Sequence, residues 1–538
     1  MGSDLGPIRS YIDFTSVSGW RQGVAATSPP GDVSRCDVRL PAASQKLTWL
    51  LTVVTGVSAL LVALRALTGG PVVSFFFVIA RPLNLESAAA VALLLVLAIR
   101  SRGVLERRSS PGNRWYVAGL ALVLLVTLAS YWKSLWFPFV SDDYVIVHRA
   151  LRGEILGPVL TQGDAGVAFR PLTRFLFAAQ GWLGSADPVW WHCVGLVLHL
   201  ANCVLVFFLA RWLVSTGAAL FAAAVFGLHA AHPEAVSWMN SRSDVQAVFF
   251  LLCALLLFLS HWSRPRGSRL AAALVLMTLA VLSKESAYAF APLAWLLVAA
   301  KERPNWRAVR ALVPFLLVEA GLFAYRWVVL GGLGGYVNAE SGRPMYLSID
   351  LVRAAKVLLW RMWAILFFPV NWSVPTGVWL GLTLVLAAGG LVVLAGGRVE
   401  RRTLLAVVGF VAFSILPVLP LALVGADLFG ARLYYLASVG FALLLGVALH
   451  GVNSNPLRCG AAAAILLFHF AALQHQLGVW DSVTALARRT CIEAAQTGGV
   501  AKTPPNSING VFFLGNGFPE CVQFYAGDFP EWRGGPKP

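Results

Sequence analysis

Acidic residues are scarce in this chain. Asp and Glu supply only 25 of its 538 residues, and charged residues of both signs reach 12 %. Ordinary soluble domains carry about 25 % charged residues, so this composition excludes a soluble globular chain. Apolar residues make up 58 % of the sequence, and the mean hydropathy is +0.72. The sequence therefore predicts an all-α polytopic membrane protein embedded in a lipid bilayer.

The N-terminal residues 1–47 lack the apolar core that a signal peptide requires. They are predicted to form a disordered cytoplasmic tail. The net charge of +17 is typical of the Lys/Arg excess in the cytoplasmic loops of membrane proteins, so it does not indicate a nucleic-acid partner.

Apolar runs of about 20 residues predict membrane spans. The predicted spans number about 13: 48–68, 85–100, 115–136, 188–212, 217–231, 244–262, 268–283, 286–300, 308–330, 377–397, 403–424, 433–450 and 459–477. The apolar stretch 353–370 is interrupted by Arg353, Lys356 and Arg361, which favours an interfacial or re-entrant helix.

Four basic loops predict the orientation of the chain. They are Arg100–Arg114, Arg264–Arg269, Lys301–Arg310 and Arg398–Arg402. All four lie on the cytoplasmic side if 268–300 forms two helices with a break at Lys284-Glu285, as the positive-inside rule requires. The N-terminus is then cytoplasmic and the C-terminus external.

Two of the seven cysteines are candidates for a disulfide. Cys491 and Cys521 lie in the C-terminal region and could pair if it is extracytoplasmic, which the sequence leaves open. Four others fall in apolar segments and are predicted to be small core residues. They are Cys193, Cys203, Cys253 and Cys459.

Asp142 and Asp143 form an adjacent acid pair just past a hydrophobic helix. Acids at a membrane boundary are costly unless they bind a cation, pair with a base or take up a proton. A catalytic pair and a solvated pair that caps the following segment are both consistent with this pattern.

Other polar residues fall on the same predicted external face. They are Arg170, His229, His232, Glu234, Arg242, Asp244, Lys284, Glu285 and Arg432. Arginine offers a planar fork for phosphate oxygens, although Arg170 and Arg432 could also be snorkelling side chains. Lys284-Glu285 could be a local ion pair at a helix break. Since Pro233 breaks the helix and no third ligand is evident, structural roles are favoured over metal binding for the two histidines.

These residues resemble a known family. The external Asp142-Asp143 and the later Arg170-Pro171-Leu172-Thr173 are similar to the GT-C superfamily of glycosyltransferases, closest to bacterial relatives of the transmembrane-and-TPR O-mannosyltransferases. Further pieces follow in order over about 136–480. They are Gly184…Pro188…His192, His199-x-x-Asn202, Leu228-His229…Glu234-Ala235-Val236…Arg242-x-Asp244, Ser283-Lys284-Glu285, Leu416-Pro417-Val418-Leu419-Pro420 and Arg432-Leu433-Tyr434-Tyr435-Leu436-Ala437-Ser438.

The chain also departs from the family pattern. It has His229-Ala230 where the family often has His-Pro, and Ala431-Arg432-Leu433-Tyr434-Tyr435-Leu436-Ala437 where the family often has Glu-Arg-Tyr-Leu-Tyr-Leu-Pro. Its C-terminal tail is too short for the TPR array of the eukaryotic members.

The resemblance implies a GT-C-type helical bundle with a long first catalytic loop. The implied organisation is 1–47 a tail, 48–114 two extra helices, 115–480 the glycosyltransferase membrane domain and 481–538 a short extracytoplasmic tail. An enzyme of this type, expected in a bacterial inner membrane with its active site extracytoplasmic, would move mannose or another hexose from a polyprenyl-phosphate donor. The acceptor would be a hydroxyl on a protein, lipid or glycan, and the anomeric carbon would be inverted.

The resemblance also suggests roles for the polar residues. Asp142 or Asp143 would be the catalytic base, with Asp142 slightly favoured. Arg170, Lys284, Arg432 and, more weakly, Arg242 would bind the donor phosphate, and His229, His232, Glu234, Asp244 and Glu285 would line the site. The resemblance implies no definite cofactor and leaves open a divalent cation held by Asp142 and Asp143.

Two other classes of function remain as alternatives. A transporter or flippase for a lipid-linked sugar would also have many spans, but it usually shows broken helices in repeated halves, and no such duplication is visible in the sequence. A non-catalytic membrane scaffold would not need an acid pair.

Overall fold

The structure is a computed structural model of the chain. It describes residues 73–74, 77–78, 115–157, 159–162, 168–184, 186–335, 351–369, 400–422, 427–452, 454–497 and 504–527. The predicted tail 1–47 and the predicted spans 48–68, 85–100 and 377–397 lie outside these residues.

The described residues are almost entirely helical. The helices are α1 (Trp115–Tyr131), α2 (Asp142–Leu151), α3 (Val159–Gln162), α4 (Pro171–Leu183), α5 (Pro188–Leu213), α6 (Thr216–Gly227), α7 (Pro233–Val236), α8 (Arg242–Ser263), α9 (Gly267–Ser283), α10 (Phe290–Ala299), α11 (Trp306–Leu330), α12 (Leu351–Lys356), α13 (Met362–Phe367), α14 (Arg401–Ile415), α15 (Tyr435–Gly451), α16 (Asn455–Thr497) and α17 (Phe518–Ala526).

Short elements connect these helices. The 3₁₀ segments are Trp132–Trp136, Met239–Ser241, Glu285–Ala289, Leu416–Leu421 and Ala431–Tyr434, and a π-helical turn, Val357–Arg361, joins α12 to α13. Two antiparallel strand pairs are present, β1 (Val73–Ser74) with β2 (Phe77–Val78) and β3 (Ser507–Ile508) with β4 (Val511–Phe512). Ser507 is opposite Phe512, and Ile508 is opposite Val511.

The apolar runs correctly predicted helices in the described part of the chain. Within it, seven helical segments are long and apolar enough to cross a membrane, and three shorter apolar helices accompany them. The predicted all-α polytopic membrane fold is therefore confirmed, whereas the count of 13 spans stays a prediction. The predicted break is also confirmed, because α9 ends at Ser283 and Lys284 is extended with φ −162° and ψ 146°.

The helices pack through small residues at one close crossing. Helix α15 packs against α6 and α14, and α8 packs against α5 and α9. A Cβ added at Gly446 of α15 would lie 3.2 Å from the carbonyl oxygen of Ala218 in α6. Small residues permit this approach, as they commonly do between membrane helices.

Two parts of the chain differ from the expectation. The long first loop that the resemblance implies corresponds to 139–187, and there the structure has α2, α3 and α4, with α2 packed against α4. Helix α16 is 43 residues long and continues past the predicted end of the last span at 477 to Thr497. The chain beyond α16 returns to pack against α2 through α17, and a Cys491–Cys521 disulfide with a Cα–Cα distance of 5.9 Å ties α17 to α16.

Candidate active site

Asp143 is the buried member of the acid pair at the start of α2. It is 0 % exposed, and its carboxylate accepts hydrogen bonds from the backbone N–H of Asn240 at 3.0 Å and of Val140 at 3.4 Å. Burial raises the pKa of Asp143 well above its ordinary value. This carboxylate therefore joins the start of α2 to the Met239–Ser241 turn.

Asp142 is half-buried, and side-chain amides hold it. Asn240 Nδ2 donates to its Oδ2 at 3.0 Å, and the side-chain amide of Asn516 lies close enough to favour the charged form of the carboxyl. Burial raises the pKa of Asp142, while the nearby Asn516 amide and the positive charges of Arg174 and Arg432 oppose this effect. Asp142 is thus an accessible carboxylate in an environment that keeps it more basic than an ordinary aspartate.

Ser141, which precedes the acid pair, has a strained backbone. Its φ is 50° and its ψ is −127°, a backbone conformation that residues other than glycine rarely adopt. Its N–H donates to the carbonyl oxygen of Phe513 at 2.6 Å. Strain of this kind persists only where the surroundings enforce it, and it is often found at functional sites.

Six charged residues form a second part of the site, which we call the ion-pair cluster: Arg170, Glu234, Asp244, Lys284, Glu285 and Arg432. Arg170 binds Glu285 with two hydrogen bonds, Nη2 to Oε1 at 2.7 Å and Nε to Oε2 at 3.2 Å. Lys284 pairs with Asp244. Adjacent Lys284 and Glu285 thus bind partners on different elements.

Arg432 pairs with Glu234 through its guanidinium and also through its backbone N–H, which lies 3.1 Å from Oε2. Its charge acts on Lys284 of the cluster and also on Asp142. The side chains of Arg170 and Arg432 are 25 % and 17 % exposed, whereas that of Lys284 is 3 % exposed. Two arginines of the cluster can therefore reach a ligand, while the lysine is covered.

The structure does not bring Arg242 into the ion-pair cluster. Arg242 is 1 % exposed and donates to Gln180 Oε1 and to the carbonyl oxygen of Trp191. Its guanidinium also lies 4.8 Å from the centroid of the Phe177 ring. It is a buried packing residue near Asp143, which does not suit the predicted contact with a donor phosphate.

His229 and His232 are both buried and bonded to protein groups. His229 Nε2 lies 3.0 Å from the carbonyl oxygen of Leu366, and His232 Nε2 lies 2.7 Å from Ser438 Oγ. These contacts agree with the structural role that the sequence favoured. Among the described residues, no group of three or more His, Cys, Asp or Glu side chains is arranged to hold a metal ion. The divalent cation on Asp142 and Asp143 stays a prediction.

Several residues of the site carried no signal in the sequence. They are Arg174, Gln180, Trp238 and Asn516. Trp238 stacks on Phe512 with a ring-centroid distance of 3.9 Å, and the Arg432 guanidinium lies 5.0 Å from the Trp238 ring. Only the folded chain brings these residues to the acid pair and the ion-pair cluster.

The class defined by these observations is an all-α integral membrane protein with a charged site at the helix ends. No protein-family model matches the chain. It is similar to the protein O-mannosyl-transferase Tmtc1 of Drosophila melanogaster, with 29 % identity over 184 residues, 32 % of this chain and 21 % of that protein. It is also similar to tmtc2 of Xenopus laevis, with 34 % identity over 108 residues, 20 % of this chain and 13 % of that protein.

The relatives confirm the resemblance that the motifs predicted, although each alignment spans less than a quarter of the relative's own length. Among solved structures, the archaeal oligosaccharyltransferase AglB from Archaeoglobus fulgidus, in complex with an inhibitory peptide and a dolichol-phosphate, aligns with a TM-score of 0.46 and 14 % identity. That alignment covers 71 % of this chain and 58 % of AglB.

Proposed function

We propose that this protein is a membrane glycosyltransferase that moves a hexose, such as mannose, from a polyprenyl-phosphate carrier to an acceptor hydroxyl. Transfer would invert the anomeric carbon and occur on the extracytoplasmic face. The observation that carries the proposal is Asp142, a half-buried carboxylate that accepts a hydrogen bond from the Asn240 amide and lies within electrostatic reach of the partly exposed Arg432. The similarity to O-mannosyl-transferases supports sugar transfer to a hydroxyl.

Asp142 would act as the general base. As the acceptor oxygen forms its bond to the anomeric carbon, the bond from that carbon to the phosphate oxygen breaks and its electron pair leaves with the phosphate. The acceptor proton passes to Asp142. Such proton transfer typically contributes about 10²–10⁴-fold to the rate. Direct displacement from the opposite side inverts the anomeric configuration.

Arg170 and Arg432 would bind the leaving phosphate. A guanidinium has five N–H donors in a fixed fork, so it can bind a carboxylate and a phosphate together. The exposed edges of these two side chains suit this role, and their positive charge would stabilise the charge that grows on the phosphate.

The remaining predicted site residues would support these groups. Lys284 is buried and pairs with Asp244 of α8, so we assign it a structural role: it connects α8 to the chain break that follows α9. Glu234 and Glu285 would orient the two arginines, and the buried charge of Arg242 would favour the charged form of Asp143. His229 and His232 stabilise the adjoining helices.

The direct test is Asp142→Asn in purified protein, assayed with a polyprenyl-phosphate mannose donor. We expect normal folding and donor binding, with kcat reduced by about 10²–10⁴-fold because the amide cannot accept the proton. Asp187→Asn is the matched control, since Asp187 is an exposed cap of α5 and Asn caps a helix equally well. We expect it to be fully active.

The same assay separates the alternative functions. A flippase would bind the donor and move it across a vesicle membrane without transfer, and a scaffold would not bind it. Wild-type activity in Asp142→Asn would refute Asp142 as the base.

A further inference from the structure

The C-terminal segment 504–527 folds onto the acid pair. Phe513 accepts the hydrogen bond from the strained Ser141 N–H at 2.6 Å. Gly517 has a φ of 74°, and a Cβ at this position would collide with the carbonyl oxygen of Ser141. The segment therefore contacts both backbone polar groups of Ser141, the residue immediately before Asp142: Phe513 binds its N–H, and Gly517 packs against its carbonyl oxygen.

The same segment also reaches side chains of the site. The side-chain amide of Asn516, one residue before Gly517, lies close enough to the Asp142 carboxylate to favour its charged form. Phe512 stacks on Trp238, and its ring centroid lies 5.1 Å from the guanidinium carbon of Arg432. One short segment thus contacts both the proposed base and a proposed phosphate ligand.

Two anchors hold the segment in place. The Cys491–Cys521 disulfide fixes α17 to α16. Phe524 of α17 packs edge-to-face against Phe139 and Tyr144, with centroid distances of 6.0 and 5.7 Å. These contacts flank the acid pair on both sides in sequence, so the position of α17 is coupled to the position of Asp142.

We propose that the segment 504–527 completes the active site, with Asn516 as a positioning residue that orients the Asp142 carboxylate toward the acceptor hydroxyl. The proposal rests on the proposed function. In this proposal, Asn516 would donate an amide hydrogen bond to the charged form of the carboxylate, and the Phe513 carbonyl holds the strained turn that precedes Asp142. The disulfide would hold the Asn516 amide and the Phe513 carbonyl in position beside α2.

The test compares the pH dependence of kcat for the wild type, Asn516→Ala and Asn516→Asp. Loss of the amide removes a hydrogen bond to the ionised carboxylate, so Asn516→Ala should move the acidic limb upward by about half to one pH unit. It should lower kcat about tenfold through poorer orientation and leave the donor KM within about twofold. Asn516→Asp should move the limb further, since it places a like charge beside Asp142.

Gln523→Ala is the matched control, because Gln523 is an exposed amide in the same segment. It should retain the wild-type profile. An Asn516→Ala profile that coincides with the wild type would overturn the proposal, even if Asp142→Asn is inactive. If Asp142→Asn is fully active, the assignment of Asp142 as the base fails instead, and absence of any transfer by the wild type would refute the proposed function, so the failures are distinguishable.

A second experiment tests the anchor independently of Asn516. Cys491→Ser and Cys521→Ser should each lower kcat by more than tenfold, and the double variant should be no worse than either single variant, since all three lose the same bond. Unchanged kcat in all three would contradict the role of the segment. A double variant much worse than the singles would also contradict it.

Discussion

The acids of this site are compensated in two different ways. In the ion-pair cluster, Glu234, Asp244 and Glu285 each pair directly with a cation. Asp142 and Asp143 are instead held by neutral donors, namely side-chain amides and backbone N–H groups. Burial raises the pKa of Asp142, whereas the bound Arg170 guanidinium outweighs burial at Glu285 and holds the pKa of that carboxyl below its ordinary value. The two regions therefore suit opposite tasks, proton acceptance and anion binding.

The ion-pair cluster has a further property that follows from this contrast. Its three acids balance the charge of its three bases, so the cluster carries no net charge although its side chains are largely buried. Breaking one pair would leave its partner buried and uncompensated, which is far more costly than removing both. The cluster is thus expected to be sensitive to single substitutions.

The largest effect is expected for Arg432→Ala. It leaves Glu234, whose side chain is 3 % exposed, without its guanidinium partner. We expect the folded protein to be destabilised by about 3 kcal/mol, together with loss of nearly all transfer. Thermal unfolding in detergent and the donor-dependent assay measure the two effects.

The matched double variant Glu234→Gln/Arg432→Ala separates stability from function. Removing both charges should restore most of the thermal stability, because no buried charge is left unpaired. Transfer should stay low, since the proposed phosphate ligand is absent. Recovery of transfer in the double variant would mean that Arg432 has only a structural role.

A smaller effect is expected for Asp143→Asn, which sharpens the contrast within the acid pair. One amide oxygen cannot replace the two oxygens that accept the N–H groups of Asn240 and Val140. We expect a loss of about 1–3 kcal/mol in stability and about tenfold in kcat. Asp142→Asn should show the reverse, with near-normal thermal unfolding and a larger loss of kcat. Equal unfolding temperatures for the two variants would contradict this division of roles.

The sequence predicted the position of the site better than its pairings. Charged residues at the ends of apolar runs indicated Asp142, Arg170, Lys284 and Arg432. Their partners could not be inferred, because the pairs join distant segments, such as Arg432 and Glu234, which are 198 positions apart. Side-chain partners could not be inferred from the sequence even for neighbouring residues, as Arg242 and Asp244 show. Residues two apart on a helix do not face the same side, so Asp244 joins the ion-pair cluster while Arg242 does not.

The fold was predictable where hydropathy determines it. Apolar runs indicated the spans of the described chain, and the Lys284-Glu285 charges indicated the break after α9. Hydropathy does not indicate where a helix ends outside the apolar region, so the continuation of α16 past 477 to Thr497 was missed. The position of Asn516 near Asp142 was also missed, because it depends on a disulfide and on backbone contacts from a segment without a motif.

The smallest expected effect tests the electrostatics of Asp142 through Arg174. A general base must be deprotonated, so activity should fall as the pH drops through the pKa of Asp142, which burial raises above its ordinary value. The positive charge of Arg174 lowers this pKa, and therefore its removal should raise it. We expect Arg174→Ala to move the acidic limb of kcat/KM upward by about half a pH unit.

Arg174→Lys, which keeps the charge, should leave the limb near its wild-type position. Since salt screens charges near the surface, the difference between the two variants should shrink in about 1 M salt. A limb that does not move in Arg174→Ala at low salt would mean that the titrating base is not Asp142.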